Sequence, residues 1–318
     1  MKSLKFVYGP VPSRRLGESL GVNPIPLKTC NYSCVYCQLG RTLHLINERQ
    51  EFFKKEEILD EIFYAIESNR GKIDFVTFVG EGEPTLNKNL GWLIKETKKS
   101  GLPVAVITNG ALLYREDVRE DLQEADVVLP SLDTAIEETF RVLNRPHRDL
   151  KISKIIEGMV QFRRVYRGKL WYEVMLVKGL NDSEKELEAL KEAFERIKPD
   201  RIYINVPIRP PAESWVEPPD EDALVRASAI LGDVIPINFP ESGEFVIEGF
   251  DDPVEAIVSI CKRHPMRLDE IIDTLSGKFQ NIGKDFVEKL VEEGKLKKIT
   301  YRDTEFFIVP GTRFGTRK

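Results

Sequence analysis

The sequence predicts an α/β fold. Between residues 19 and 206, short apolar and often β-branched runs recur six times, each followed by a segment with a different rhythm. The intervening segments carry apolar residues at helical spacing. Such alternation argues for parallel strands joined by right-handed crossovers. Six units suit an open partial barrel better than a closed eight-stranded one. Periodicity alone equally describes a doubly wound open sheet.

The elements follow in order. A first short strand falls at 19–26 and is stopped by Pro24 and Pro26. A loop then runs to about Lys55. A helix is predicted over 56–69, with Ile58, Leu59, Ile62, Phe63 and Ile66 on one face. The run at 73–79 reads as a strand buried on both faces. A helix at 90–100 stops at Gly101. Strand 103–108, helix 116–124 and strand 127–132 come next. Two helical stretches, 136–143 and 152–166, precede strand 170–177, helix 183–197 and strand 201–206. Near Gly249 the rhythm changes. Three helices are predicted at 254–260, 268–275 and 283–293, the last stopped by Gly294, then two short strands at 296–301 and 305–309. The expected organisation is a large domain over 1–248 and a small one over 249–318.

A chain of 318 residues can bury one large core and a small satellite. Apolar residues make up 42% and charged residues 31%, a globular balance. The net charge of −5 gives no global case for nucleic-acid binding. No stretch is long and apolar enough to cross a membrane, so a soluble cytoplasmic protein with reduced cysteines is expected. The excess of Lys and Glu over Gln and His is compatible with a thermophilic source.

Three of the four cysteines, Cys30, Cys34 and Cys37, share the loop after the first strand in a CxxxCxxC spacing. A disulfide with a spare thiol fits poorly, since the chain shows no secretory signal. A zinc site needs a fourth ligand. Cys261, His44, His147 and His264 are the candidates, and none has a ligand-like partner nearby in sequence. Buried core thiols do not suit so polar and aromatic a segment. Three thiolates on one loop do suit three corners of a cubane iron–sulfur cluster, leaving the fourth iron open to a substrate or cofactor. In a barrel this loop lies at the mouth, where such folds place their chemistry.

Other candidates end the later strands. The second strand runs into Gly80-Glu81-Gly82-Glu83-Pro84-Thr85, where glycine admits close approach and Glu83 supplies an acceptor. The third ends in Thr108-Asn109-Gly110. After the fourth, Ser131 and Asp133 alternate and are expected on one side. Asp133 could instead cap the helix from Thr134 onward. Glu173, Met175 and Asn205 are expected to line the barrel, with plain core packing the alternative for Met175. Arg209, just past a strand end, and Arg14 or Arg15, in a proline-stiffened run ahead of the first strand, could meet an anionic group.

CxxxCxxC with Tyr36 just before the last cysteine resembles the radical S-adenosylmethionine (radical SAM) superfamily. The resemblance implies a partial (β/α)6 TIM-type barrel. It also implies an enzyme with one [4Fe–4S] cluster on Cys30, Cys34 and Cys37. SAM would bind the open iron by its amino and carboxylate groups. Reductive cleavage would then give a 5′-deoxyadenosyl radical that abstracts hydrogen. Glu81-Gly82-Glu83-Pro84 is similar to the family's Gly-Gly-Glu-Pro motif for the SAM ammonium group, with Glu81 in place of the first glycine. Thr108-Asn109-Gly110 resembles an element near the SAM pocket. Tyr36, Glu81, Gly82, Glu83, Asn109, Ser131 and Asp133 are therefore the expected cofactor-binding residues, the last two toward the ribose hydroxyls.

The segment 9–40 resembles iron–sulfur oxidoreductases related to the wyosine synthases of tRNA. The extra N-terminal cysteines of wyosine synthase itself are missing, so a different product is expected and sulfur insertion is disfavoured. The first expected substrate is tRNA, with a protein or small metabolite as the alternative and an electron donor such as ferredoxin or flavodoxin. A third reading is a DNA-binding redox regulator. The C-terminal helices and hairpin resemble a winged-helix domain, a class that often binds nucleic acid. From Val254 onward thirteen basic residues face ten acidic ones, yet its third helix carries Asp285, Glu288, Glu292 and Glu293. An acidic helix is a poor groove reader. Cys261, among apolar residues, is expected in the small core.

Overall fold

The computed structural model describes residues 4–237, Phe245, Ile247 and 250–311. Strands β1 (Val7–Ser13) and β2 (Gly17–Val22) form an antiparallel hairpin. From β2 the sheet continues in parallel through β5 (Phe75–Phe78), β6 (Val104–Thr108), β7 (Val127–Pro130), β8 (Lys169–Met175), β9 (Arg201–Asn205) and β10 (Val234–Pro236). A two-residue parallel pair, β3 (Thr29–Cys30) and β4 (His44–Leu45), braces the cysteine loop. The connecting helices are α1 (Lys55–Ser68), α2 (Leu90–Thr97), α3 (Glu116–Leu122), α4 (Glu137–Leu143), α5 (Ile152–Val165), α6 (Glu184–Ile197) and α7 (Glu221–Leu231).

All six expected strands are present. The sheet exceeds the expectation by two strands: β1 pairs along β2, and after α7, which follows the sixth strand, β10 adds a seventh parallel one. β1 holds Pro10 and Pro12, which a strand tolerates at a sheet edge, where a missing N–H leaves no neighbour unpaired.

Each central strand is buried on both faces, and alternation decides which core a residue joins. Val104 and Val106 pack toward the helices, whereas Ala105 joins an inner cluster. Leu170 and Tyr172 face the helices and Trp171 faces inward. The inner cluster also contains Leu16, beside β1, and Ile237, just past β10. These lie at opposite edges of the sheet, so the sheet curls until its edges meet. Arg14 laces the seam: Nη1 donates to Asn205 Oδ1 at 3.2 Å and to the carbonyl of Ile237. The result is an incompletely closed barrel of TIM type.

The C-terminal elements are α8 (Pro253–Cys261), α9 (Leu268–Ser276), α10 (Lys284–Glu292), β11 (Lys297–Tyr301) and β12 (Thr304–Ile308). Asp252 caps α8 by accepting from Val254 N–H at 2.9 Å, with Pro253 in the first turn. A separate apolar cluster includes Ile257, Ile271, Leu275, Leu290 and Phe307, and Cys261 is buried in it as expected. The expected boundary at 248/249 lies outside the described residues. This unit rests on the barrel mouth: Gln38 Nε2 donates to Arg263 O at 2.8 Å, and Tyr301 OH donates to Pro207 O at 2.9 Å. Among the described residues no helix is long and apolar enough to cross a membrane.

Candidate functional site

A cavity of about 390 Å³ opens at the C-terminal ends of the parallel strands. The three cysteines of the loop after β2 line one side. The ends of β5, β6, β7 and β8 bring Gly80 to Glu83, Asn109, Ser131, Glu173 and Met175 to the others. Six of the seven expected cofactor-binding residues line this cavity: Tyr36, Glu81, Gly82, Glu83, Asn109 and Ser131.

The turn after β5 is locked to the cysteine loop. Glu83 N–H donates to Thr29 O at 3.1 Å, and a Cβ on Gly82 would lie 1.8 Å from that same carbonyl oxygen. Only glycine lets the two backbones meet here. The Glu83 carboxylate is buried and ties β5 to β6. Oε1 accepts from Thr85 N–H at 2.9 Å and from the hydroxyls of Thr85 and Thr108 at 2.6 Å each; Oε2 accepts from Asn109 N–H at 2.7 Å. Burial pushes the Glu83 pKa up, and these four donors pull against it. Behind the turn, buried Arg49 donates to the carbonyls of Thr85 and Asn87 at 2.9 and 3.0 Å and pairs with Asp117 and Asp121.

The cysteines are free and half-buried. Tyr32 N–H points at Cys30 Sγ at 3.4 Å, Asn109 Nδ2 lies 3.6 Å from it, and Asn144 Nδ2 lies 3.5 Å from Cys34 Sγ. N–H donors aimed at sulfur favour a thiolate and tune any iron bound to it. Burial pushes all three thiols up, Cys34 to about 12 with Asp133 adding to the effect, while Leu39 N–H and the Lys28 ammonium pull Cys37 down. Iron must therefore displace protons when it binds. Among the described residues no three ligand side chains converge as a single-ion site. A cubane does not need that convergence, because each thiolate takes a different iron. The donor set fits a three-thiolate cluster.

Asp133 departs from its expected role. Its side chain does not line the cavity. Oδ2 accepts from Tyr36 OH at 2.5 Å and Asn144 Nδ2 at 2.7 Å, and Oδ1 accepts from Met175 N–H at 2.9 Å. Nor does it cap a helix, since α4 starts at Glu137 with Ile136 at its N-cap. Strand β7 ends at Pro130, so the alternation that would pair Ser131 with Asp133 does not persist. Burial raises the Asp133 pKa against these three donors. Asp133 thus supports the cysteine loop from behind.

The arginines reach the barrel mouth as expected, and two of them are engaged there by the protein itself. Arg14 and Arg15 line the cavity, but Arg14 is engaged in the seam and Arg15 forms an ion pair with Glu173. Arg209 lines it too, with Nη1 3.4 Å from Gln38 Oε1. Glu173, Met175 and Asn205 all line it as expected.

Several residues escaped the sequence reading. Asn144, Lys28 and Arg263 surround the cavity or its sulfurs, yet sit in no recognisable spacing, and His264, considered only as a zinc ligand, lines it too. Glu213 is another: its carboxylate receives Arg41 Nε at 2.8 Å and Arg145 Nη1 at 2.5 Å, clamping the segments after Cys37 and α4.

Comparison with known proteins follows this geometry. A model of the radical SAM superfamily matches residues 25–206, from just after β2 to just past β9. A UPF0026 protein of Methanocaldococcus jannaschii is 40% identical over 313 residues, 96% of each chain. A UPF0026 protein of Helicobacter pylori (strain J99) is 33% identical over 278 residues, 85% of this chain and 87% of its own. In the crystal structure of a radical SAM methyltransferase from Sphaerobacter thermophilus, the match covers 71% of this chain and 67% of that one, at a TM-score of 0.53 and 17% identity. At that identity the likeness concerns the fold alone.

Proposed function

Because the chain belongs to the radical SAM superfamily, whose enzymes use a [4Fe–4S] cluster and SAM, we propose that Cys30, Cys34 and Cys37 hold that cluster and that the adjoining cavity takes SAM. The observation that carries this reading is that the three thiols and the Gly80–Glu83 turn face one cavity, with amide N–H groups directed at two sulfurs. When bound, cluster and SAM supply a 5′-deoxyadenosyl radical for hydrogen abstraction. The chain's own residues do the rest. The turn's carbonyls and Glu83 hold the ammonium group, Ser131 meets the ribose, and Tyr36 packs the loop against Asp133. An external donor such as ferredoxin or flavodoxin supplies the electron.

For the substrate we place a tRNA base first and the site of action in the cytoplasm. The likeness of segment 9–40 to wyosine-related enzymes supports this, as do the exposed Lys297 and Arg302 of the C-terminal hairpin. In this reading the unit beyond residue 248 acts as a winged helix. One observation favours a protein or small-metabolite substrate instead: Lys295 and Lys298 are paired with Glu293 and Glu305 at 2.7 and 3.1 Å, which quenches much of the basic surface. The redox-regulator reading is weaker, since a sensing cluster has no use for a carboxylate tied like Glu83.

Anaerobic reconstitution tests the core of the proposal. About four irons per chain and 5′-deoxyadenosine formed with SAM and dithionite are expected, and absence of either overturns it. Salt-sensitive binding of bulk tRNA separates the two substrates. Mass spectrometry of tRNA from a strain lacking the protein identifies the product.

A further inference from the structure

The segment after α8 reaches into the barrel. Arg263 and His264 follow its last turn, each backbone N–H donating to Ile260 O at 2.9 Å, and both side chains line the cavity. Arg263 Nε lies 2.9 Å from Glu81 Oε1, in a pair whose side chains are 14% and 11% exposed. Its guanidinium lies 4.4 Å from the centre of the Tyr8 ring. Tyr8 is pinned in turn over Gly21, where an added Cβ would meet the ring at 2.3 Å. The Arg263 carbonyl accepts from Gln38 Nε2 at 2.8 Å, one residue past Cys37.

One residue of the C-terminal unit thus touches both walls of the pocket. Glu81 belongs to the Gly80–Glu83 turn: its N–H donates to Asn23 Oδ1 at 3.0 Å, and its carbonyl accepts from Lys28 N–H at 2.6 Å, ahead of the cysteines. Gln38 belongs to the cysteine loop itself. A desolvated ion pair is costly to break on one side, because the remaining charge stays buried without compensation. The Arg263–Glu81 contact therefore constrains the turn's position far more than an exposed pair would.

We infer that the C-terminal unit is a structural wall of the SAM pocket and that Arg263 is a positioning residue, fixing the Gly80–Glu83 turn through Glu81 and the cysteine loop through Gln38. This also gives Glu81 a role. At the position where the related motif carries glycine, this chain places the carboxylate that pairs with its own C-terminal unit.

The inference rests on the reading that this cavity takes SAM, and the test separates the two. SAM affinity of the reconstituted full chain is measured by equilibrium dialysis, alongside hydrogen exchange of the protein before iron loading. Glu83→Gln serves as the control: if it binds SAM as tightly as the parent, the cavity reading itself fails. With that reading intact, Arg263→Gln and Glu81→Gln should each weaken SAM binding roughly tenfold, as coupled sites do. The double variant should be no weaker than either single one, the non-additivity expected of contacting residues. Arg263→Lys, which keeps the charge, should recover part of the loss. Before iron loading, exchange should rise at residues 80–83 in Arg263→Gln, while 37–39, held by the main-chain carbonyl that the substitution keeps, and 268–308 stay protected. Unchanged or tighter SAM binding, additive losses, or exchange rising in 268–308 instead would each overturn the inference.

Discussion

Tyr36 and Asp133 meet in a partly buried hydrogen bond of 2.5 Å although they lie 97 positions apart in sequence. The contact joins the cysteine loop to the end of β7, and Asp133 is the hub because it also receives Asn144 and Met175 N–H. Tyr36→Phe removes one donor and should cost about 1.5–3 kcal/mol, the range for a hydrogen bond to a charged group. Asp133→Ala strands one buried donor, at about 1–3 kcal/mol, and two partly buried ones, and should cost clearly more. Urea midpoints of the iron-free proteins decide the matter; equal losses would mean that Asp133 is not the hub.

Gly82→Ala forces a methyl group into the Thr29 carbonyl. Overpacking of this kind costs about 1–3 kcal/mol, and here the strain falls on the residue next to Cys30. The expected outcome is lower stability and fewer irons retained per chain after gel filtration. Gly277→Ala is the control. Its Cβ would meet nothing within 4 Å, so a change within about 0.5 kcal/mol is expected.

The legible and the illegible parts of this molecule differ physically. The six central strands were readable because strands covered on both faces are continuous apolar runs, as in Val104–Thr108. β1 was not, because Pro10 and Pro12 suggest stiff coil and only an edge position makes them tolerable. α7 and β10 were hidden behind the proline-rich stretch 207–219, where the alternation lapses. The cysteines announced themselves through spacing. Asn144, Glu213 and Arg263 could not, since their roles come from chain segments that only the fold brings together. Asp133 does not line the cavity: strand alternation was carried three residues beyond the strand's end at Pro130.

Glu213 predicts an acid limb. Arg41 foremost, then Arg145, hold its pKa below the usual 4.5. A carboxylate with a depressed folded pKa contributes stability that is fully present above the unfolded value and lost as pH falls through the folded one. Glu213→Gln should therefore be less stable than the parent near neutrality, by about 1–3 kcal/mol. The gap should narrow below pH 4.5. Denaturation at stepped pH measures it, and a gap independent of pH would exclude this role.

Arg14→Ala should loosen the seam without melting the sheet. Losing charge-assisted bonds of about 1.5–3 kcal/mol should speed amide exchange in β10 roughly tenfold or more. The amides of β6 and β7, paired on both sides, should hardly change. Uniform acceleration across all strands would mean that Arg14 supports the whole barrel.

That seam has a mechanical consequence. In a closed barrel, strand number, shear and tilt are linked, so the girth is fixed by geometry. Here the circumference is fastened at one line by a guanidinium on a flexible stem. The molecule's compliance is concentrated along that line, opposite β6 and β7 in the strand order. Strain along that line falls first on β1 and β10, and the turn that carries Glu83, after β5, lies two strands in from the edge.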